Sequence, residues 1–366
     1  MDTYNRSGQW DGLYVTAAYE KEICAAMEII GTDISGIKSV ETDGQLPDGR
    51  FYGDLTNVYG FTMLVKHSGI DVSGKKAVVF GTGGASSAVA AALRDLRAGE
   101  IIAVSSGMVP EQHRDADVIV NATSAGMYPD NGASPVDLSL FPSLSGVFDL
   151  ICDPLRTALL LQAEELNIPC RNGLFMLAAK AARSAELFTG KMLGDDRIGR
   201  IHDKLYKKMQ SIALIGMPGV GKTTAARKIS RLTGRAFYDT DEEIEKRYGI
   251  TPAQLIRTEG EDAFRRIETA VLADVSRHPH AVIATGGGTV TREENYPLLR
   301  QNSRIVWLKR DISELSTEDR PISQAGRLEE LYRVRKPMYE AFADEETDLG
   351  PLETIIGLER YVEPDE

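Results

Sequence analysis

The sequence predicts an α/β fold in two domains, each with a parallel sheet flanked by helices. Three observations carry this. Short apolar runs rich in Val, Ile and Ala alternate with helical segments along most of the chain. Two such runs, Ala77–Phe80 and Ser211–Ile215, each lead into a glycine-rich turn that opens a helix. The chain has 366 residues, 42% hydrophobic and 26% charged, which suits about two globular domains.

Residues 1–75 are mixed and glycine-punctuated. Residues 13–16 read as a short strand and 20–30 as a helix, with Ala25, Ala26, Ile29 and Ile30 on its apolar face. Another helix starts over Gly60 to His67. Ala77–Phe80 is a buried strand, and Gly81-Thr82-Gly83-Gly84-Ala85 opens an alanine-rich helix to about Leu96. A glycine turn between strand and helix is a candidate dinucleotide loop. The acid expected about twenty residues on falls at Ser105-Ser106-Gly107, which offers neither a carboxylate for NAD nor an arginine for NADP. A tight turn kept for packing explains the glycines equally well. Strands follow at 100–104, 117–121 and 147–152, and helices at 157–166 and 174–188. Residues 190–209 are charged and helical and read as the connector.

The second half opens on the strand Ser211–Ile215 and the run Gly216-Met217-Pro218-Gly219-Val220-Gly221-Lys222-Thr223-Thr224. This fits G-x-x-x-x-G-K-[ST], a phosphate-cradling P-loop, in the strand–turn–helix setting the motif requires. Curled backbone N–H groups, the helix N-terminus and Lys222 supply positive charge to a nucleoside triphosphate, and Thr223 offers a hydroxyl to Mg²⁺. Gly234 ends the helix. On the next strand, Asp239 and Asp241 alternate onto one face at the C-terminal edge, where ligands of α/β sheets lie. Asp239 is placed to hold Mg²⁺ through water and Asp241 to accept a hydroxyl proton; an N-cap role for Asp241 is the competing reading. Thr251-Pro252 opens a further helix. In Phe264-Arg265-Arg266, Arg266 has Asp262 at i−4 and reads as surface, which leaves Arg265 as the ligand candidate. The strand over 280–285 ends in Gly286-Gly287-Gly288, where a ligand ring can approach the backbone. After a strand over 304–308, the polar loop 317–321 reads as a lid carrying Arg320, and the final helix offers Arg335.

A formal net charge of −12 argues against nucleic acid or anionic membrane as the main partner, so an anionic substrate needs local cations. Cys24, Cys152 and Cys170 form no C-x-x-C and read as reduced, which fits a cytoplasmic protein. No apolar run is long enough to span a bilayer.

Over residues 12–205 the chain resembles the shikimate dehydrogenase family. The resemblance rests on Gly81 to Ala85, Asn121-Ala122-Thr123-Ser124-Ala125-Gly126-Met127, Gly173-Leu174-Phe175-Met176-Leu177, Gly53-Asp54-Leu55-Thr56-Asn57 and Tyr14-Val15-Thr16. It implies a catalytic-type part over 1–74, a Rossmann-type part over 75–173 and closing helices over 174–205. Gly81, Gly83, Gly84 and Ala85 would form a vestigial NADP loop. The departures fall where that family's chemistry lies. Glu20 stands in place of its catalytic lysine, with Lys21 adjacent. Asn57 replaces the partner aspartate, Lys180 a substrate-facing glutamine and Cys152 a tyrosine. An anionic Glu20 beside a neutral Asn57 cannot reproduce an ammonium–carboxylate pair, so a dehydrogenase-incompetent domain is expected. A homodimer through this domain is one expected arrangement.

Over residues 211–345, within an expected domain 210–366, the chain resembles the shikimate kinase family. G-x-P-G-x-G-K-T, Asp-Thr-Asp, Glu-x-x-Phe-Arg-x-x-Glu, Gly-Gly-Gly, Asp-Arg-Pro and Arg-x-Pro-x-Tyr occur in order. The resemblance implies that Pro218, Gly219, Val220, Gly221, Lys222, Thr223 and Thr224 bind ATP. It places Thr223 and Asp239 on Mg²⁺ and Asp241 on the ring hydroxyls as a candidate base. It sets Arg265, Arg335 and Gly286 to Gly288 around the shikimate carboxylate, and has Arg320 reach the phosphates. The lid is a few residues shorter than in many relatives. A bifunctional dehydrogenase–kinase and a non-enzymatic P-loop switch are the alternatives. The switch lacks a guanine-reading Asn-Lys-x-Asp and leaves the substrate-side arginines unexplained.

Overall fold

The computed structural model describes residues 12–14, 29–30, 42–45, 50–105, 111–315 and 328–348. Contacts along the backbone divide the chain into two compact units, Met1–Leu205 and Tyr206–Glu366.

The first unit holds two sheets. Strands β1 (Gly12–Tyr14), β2 (Ile29–Ile30), β3 (Thr42–Gln45) and β4 (Phe51–Asp54) lie in the order β1-β3-β4-β2. β3 is antiparallel to both neighbours, and β2 runs parallel to β4. Ile29 and Ile30 therefore do not end a helix, as their spacing suggested. They pair with Tyr52 and Gly53, so a partner strand rather than local spacing sets their backbone. The expected helix over 20–28 lies outside the described residues. The second sheet is wholly parallel: β5 (Ala77–Phe80), β6 (Ile101–Val104), β7 (Val118–Asn121), β8 (Gly146–Asp149) and β9 (Cys170–Asn172), in the order β6-β5-β7-β8-β9.

Helix α1 (Thr56–Ser68) starts four residues ahead of the expected Gly60. α2 (Gly84–Asp95) follows the glycine turn, and α3 (Ala158–Glu165) and α4 (Leu174–Thr189) complete the wrapping. Gly60 marks where α1 and α4 touch: a Cβ there would lie 2.7 Å from Lys180 Cγ and 2.9 Å from Met176 O. At the end of β8, buried Asp149 ties three segments together. Its carboxylate accepts from Asn121 Nδ2 (3.1 Å), Ile151 N (3.0 Å) and Thr157 Oγ1 (2.6 Å), and Thr157 caps α3.

Helix α5 (Asp195–Met209) is more than a charged connector. Ile198 is fully buried in the first unit's core, with Leu193, Ile201 and Leu205 packed around it. From Tyr206 on the chain belongs to the second unit, and the carbonyls there are held by residues of that same unit. Buried Arg235 donates Nη2 to Lys207 O (3.1 Å) and Nη1 to Gln210 O, and His280 N donates to Met209 O (3.2 Å).

The second unit is built on one parallel sheet, β11-β12-β10-β13-β14, formed by β10 (Ser211–Ile215), β11 (Ala236–Asp239), β12 (Ala281–Ala284), β13 (Ser303–Lys309) and β14 (Glu345–Asp348). Helices α6 (Lys222–Thr233), α7 (Thr240–Tyr248), α8 (Pro252–Glu259), α9 (Glu261–Val275), α10 (Asn295–Arg300) and α11 (Leu328–Phe342) pack around it. Trp307 on β13 stacks on Tyr339 of α11 with ring centroids 5.6 Å apart, both fully buried. The P-loop strand β10 lies centrally between β12 and β13, so its loop opens among the C-terminal ends of neighbouring strands.

Candidate active site

The P-loop joins β10 to α6, and Gly221 caps that helix in the left-handed region at φ 99°, which suits only glycine well. Lys222 is buried, and its Nζ donates to Gly216 O (2.9 Å) and Met217 O (3.0 Å). Val220 is buried in the core, whereas Thr224 is exposed on the first turn of α6. Thr223 Oγ1 donates to Asp239 Oδ2 at 2.7 Å.

Asp239 and Asp241 do not share a strand face, because β11 ends at Asp239 and α7 begins at Thr240. The capping role expected of Asp241 falls to Asp239, whose Oδ1 accepts from Asp241 N (3.0 Å) and Glu242 N (3.4 Å). The helix turn, rather than strand alternation, brings Asp241 toward the glycine run. Its Oδ1 lies 3.5 Å from where a Cβ on Gly286 would sit.

Gly286-Gly287-Gly288 is the centre of the constellation, because side chains there would collide with what surrounds them. A Cβ at 286 would lie 2.1 Å from Glu268 Oε1, at 287 2.6 Å from Pro218 Cδ of the P-loop, and at 288 2.1 Å from Arg265 Nη2. Arg335 Nη1 donates to Gly287 O at 3.1 Å, and Tyr339 OH donates to the same oxygen at 2.6 Å. Two buried arginines, Arg265 and Arg335, therefore meet the glycine run beside the P-loop. Arg266 is exposed, and Asp262, expected as its partner, has its carboxylate 3.8 Å from Arg292.

Arg265 is held at two corners. Nη1 donates to Glu268 Oε2 (2.7 Å) and Nη2 to Glu261 Oε1 (3.0 Å). Glu268 is fully buried and also accepts from Thr289 Oγ1 at 2.9 Å. Burial works against the charge on Arg265, but the Glu268 and Glu261 carboxylates outweigh it and hold the group above its ordinary pKa, so it stays cationic. Glu268 and Tyr339 were given no role in the sequence reading. Their signals were present in Arg265-x-x-Glu268 at helical spacing and in Arg335-x-Pro-x-Tyr339. Arg320 and the rest of the expected lid lie outside the described residues.

In the first unit, Gly81 stands at φ 126° with Ala122 O 2.8 Å from its Cβ position, so the fold itself requires that glycine. Gly83 caps α2 and faces open space, and Gly84 and Ala85 begin the helix. Lys180 Nζ donates to Asn57 Oδ1. One turn on, Arg183 pairs with buried Asp54 (3.0 Å) and with Glu186 (3.3 Å). Cys152 and Cys170 are free thiols, each raised above its ordinary pKa by burial. Glu20, Lys21 and Cys24 lie outside the described residues. Among the described residues no helix is long and apolar enough to cross a membrane.

The sequence model of the shikimate kinase family matches residues 218–353. A shikimate kinase of Chromobacterium violaceum is 39% identical over 140 residues, which cover 36% of this chain and 76% of that protein. One from Methylococcus capsulatus is 40% identical over 153 residues, covering 39% of this chain and 86% of that protein. The chain belongs to the shikimate kinase family. A solved chorismate mutase/shikimate 5-dehydrogenase fusion protein from Clostridium acetobutylicum is also similar, with a TM-score of 0.51 and 29% identity over 57% of this chain and 81% of that one. This shikimate kinase thus couples the family's P-loop unit to a dehydrogenase-like one.

Proposed function

We infer that this chain transfers the γ-phosphoryl group of ATP to the 3-hydroxyl of shikimate, and that its first unit no longer carries dehydrogenase chemistry. The observation behind the kinase reading is the meeting of Asp241, Arg265 and Arg335 at Gly286 to Gly288, against P-loop residue Pro218.

The residues divide the work by chemistry. Lys222 now rests on two carbonyls of its own loop, and a phosphate oxygen is a stronger acceptor for the same ammonium. Thr223 Oγ1 and the Asp239 carboxylate, already side by side, form the hard-oxygen set that suits Mg²⁺. When bound, the metal offsets charge on the phosphates. Arg265 and Arg335 grip the substrate carboxylate, overcoming the chain's net negative charge locally. That grip turns one ring hydroxyl toward Asp241. The hydroxyl oxygen bonds to the γ-phosphorus, the bond to the β-phosphate oxygen breaks, and the hydroxyl proton passes to Asp241. Arg320 is assigned to the transferring phosphate from the lid. Positioning and charge neutralisation dominate phosphoryl transfer, so no covalent enzyme intermediate is needed.

ATP consumption measured with and without shikimate tests this. The kinase reading requires consumption that depends on shikimate, whereas a nucleotide switch would hydrolyse ATP regardless. Asp241→Asn should abolish turnover with the fold intact, and a near-full rate would overturn its role as base. For the first unit, the supporting observation is that Asn57, at the partner-acid position, accepts from Lys180. Asn57 is itself a neutral amide where that family's pairing calls for a carboxylate, so it cannot take part in the proton balance of an alcohol oxidation as an acid–base group. Ser105, at the end of β6, offers neither acid nor cation to an adenosine ribose. NADP-linked oxidation of shikimate by the full chain should be undetectable. Turnover approaching the ordinary enzyme median, about 10 per second, would establish the bifunctional reading instead.

A further inference from the structure

We propose that Glu261 is a substrate-mimicking gate on Arg265, and that it crosses to Arg292 when the substrate's carboxylate takes its place. The proposal rests on the shikimate kinase reading and adds to it a residue that sets substrate affinity.

The guanidinium of Arg265 presents donors that are not equally committed. Nη1 is tied to Glu268, which is fully buried and fixed from its other side by Thr289. Nη2 is tied to Glu261, whose side chain is 51% exposed in the first turn of α9. Buried Nε has no hydrogen-bond partner among the described residues. A carboxylate binds an arginine best through two parallel N–H groups on one edge. The edge left by Glu268 is Nε with Nη2, and Glu261 holds one of those two donors. A substrate carboxylate taking that edge must therefore displace Glu261. Charge points the same way: one guanidinium between two carboxylates carries a net −1, which opposes an anion, and removing Glu261 brings it to zero.

The structure also supplies a destination. Glu261 and Arg265 line a cavity of about 500 Å³, and Arg292 lines the same cavity. Arg292 is only loosely engaged, 3.8 Å from Asp262 and 3.4 Å from Glu294, whose side chains are 93% and 57% exposed. Exposed pairs of this kind exchange at little cost. A displaced Glu261 thus moves from one cation to another within one cavity.

The test is a cycle of Glu261→Gln, Arg292→Ala and the double variant in the full chain, with KM for shikimate as the readout. Glu261→Gln should lower KM roughly three- to tenfold. If Glu261 merely braces Arg265, its loss should leave KM unchanged or raise it, and either result overturns the gate. Arg292→Ala should raise KM in the parent but not in the Glu261→Gln background, because the glutamine needs no destination. An equal rise in both backgrounds would mean that Arg292 attracts the substrate directly, and the crossing would be wrong. An unchanged KM for ATP in each variant shows that the P-loop is intact. Failure of the gate leaves shikimate-dependent turnover in the parent, whereas failure of the kinase reading removes it.

Discussion

Replacing Gly288 with alanine adds one methyl group to the most crowded point of the site. The backbone accepts it, since Gly288 sits at φ −107° and ψ 3°, open to L-residues. The methyl would lie 2.1 Å from Arg265 Nη2, 2.4 Å from Cζ and 2.5 Å from Nη1. Ordinary contact begins at 3.4 Å, so the guanidinium must retreat by about 1.3 Å. Glu268 cannot follow, being buried and bonded to Thr289, so the 2.7 Å contact from Nη1 breaks. A hydrogen bond to a charged group is worth roughly 1.5–3 kcal/mol, which corresponds to a rise of about 10- to 100-fold in KM for shikimate. KM for ATP should hold, because Lys222 and Thr223 bond elsewhere. Overpacking should also cost about 1–3 kcal/mol of stability in the second unit. A coupled ATP assay and a thermal melt read both effects. A KM within about twofold of the parent, with an unchanged melt, would refute the placement of Arg265 against Gly288.

Two further outcomes follow from other residues. Asp239→Asn keeps a good helix cap, so stability should change by less than about 1 kcal/mol. The Mg²⁺ concentration for half-maximal activity should nevertheless rise about tenfold or more, and an unchanged Mg²⁺ titration would remove Asp239 from the metal site. Burial raises the Asp149 carboxyl to about 6, against hydrogen bonds from Thr157, Ile151 and Asn121 that lower it. The folded chain then keeps a proton that the unfolded chain releases, so the first unit draws the full contribution of Asp149 to its stability only below about pH 4. It loses about 3 kcal/mol as pH rises through the folded value. Asp149→Asn should remove this slope: in calorimetry, the transition that ATP does not shift should move relative to the parent between pH 5 and pH 7. A constant offset at every pH would show that Asp149 does not titrate in that window.

Much of the second unit was legible because its signals are local. A P-loop needs a strand, a turn of fixed length and a helix, and all three lie within residues 211–233. The choice of Arg265 over Arg266 was also available from Phe264, since the buried side of α9 includes both Phe264 and Arg265. What was not legible depends on contacts between distant residues. The reading of Asp239 and Asp241 assumed that the strand continues, but Asp239 accepts on its carboxylate from the amides of Asp241 and Glu242 and starts a helix. Glu268 matters because Gly286 and Thr289 come to it from the end of another strand. In the first unit, β3 reads Thr-Asp-Gly-Gln and β4 Phe-Tyr-Gly-Asp, with no apolar run to announce either. Ile29 and Ile30 fit both a helix stripe and a strand, and pairing with β4 decides between them.

The way α5 ends has a practical consequence for anyone cutting this protein in two. The helix runs from Asp195 to Met209, so its end is not a neutral place to cut. A kinase fragment begun at the strand, Ser211, would discard the Lys207 and Gln210 carbonyls and leave Arg235 as a buried cation stripped of both acceptors. A stranded charge of this kind typically costs several kcal/mol, enough to make a competent enzyme misbehave when expressed alone. A fragment meant to report on the kinase needs to start upstream of Lys207, and one meant to report on the first unit needs to keep Ile198, Ile201 and Leu205.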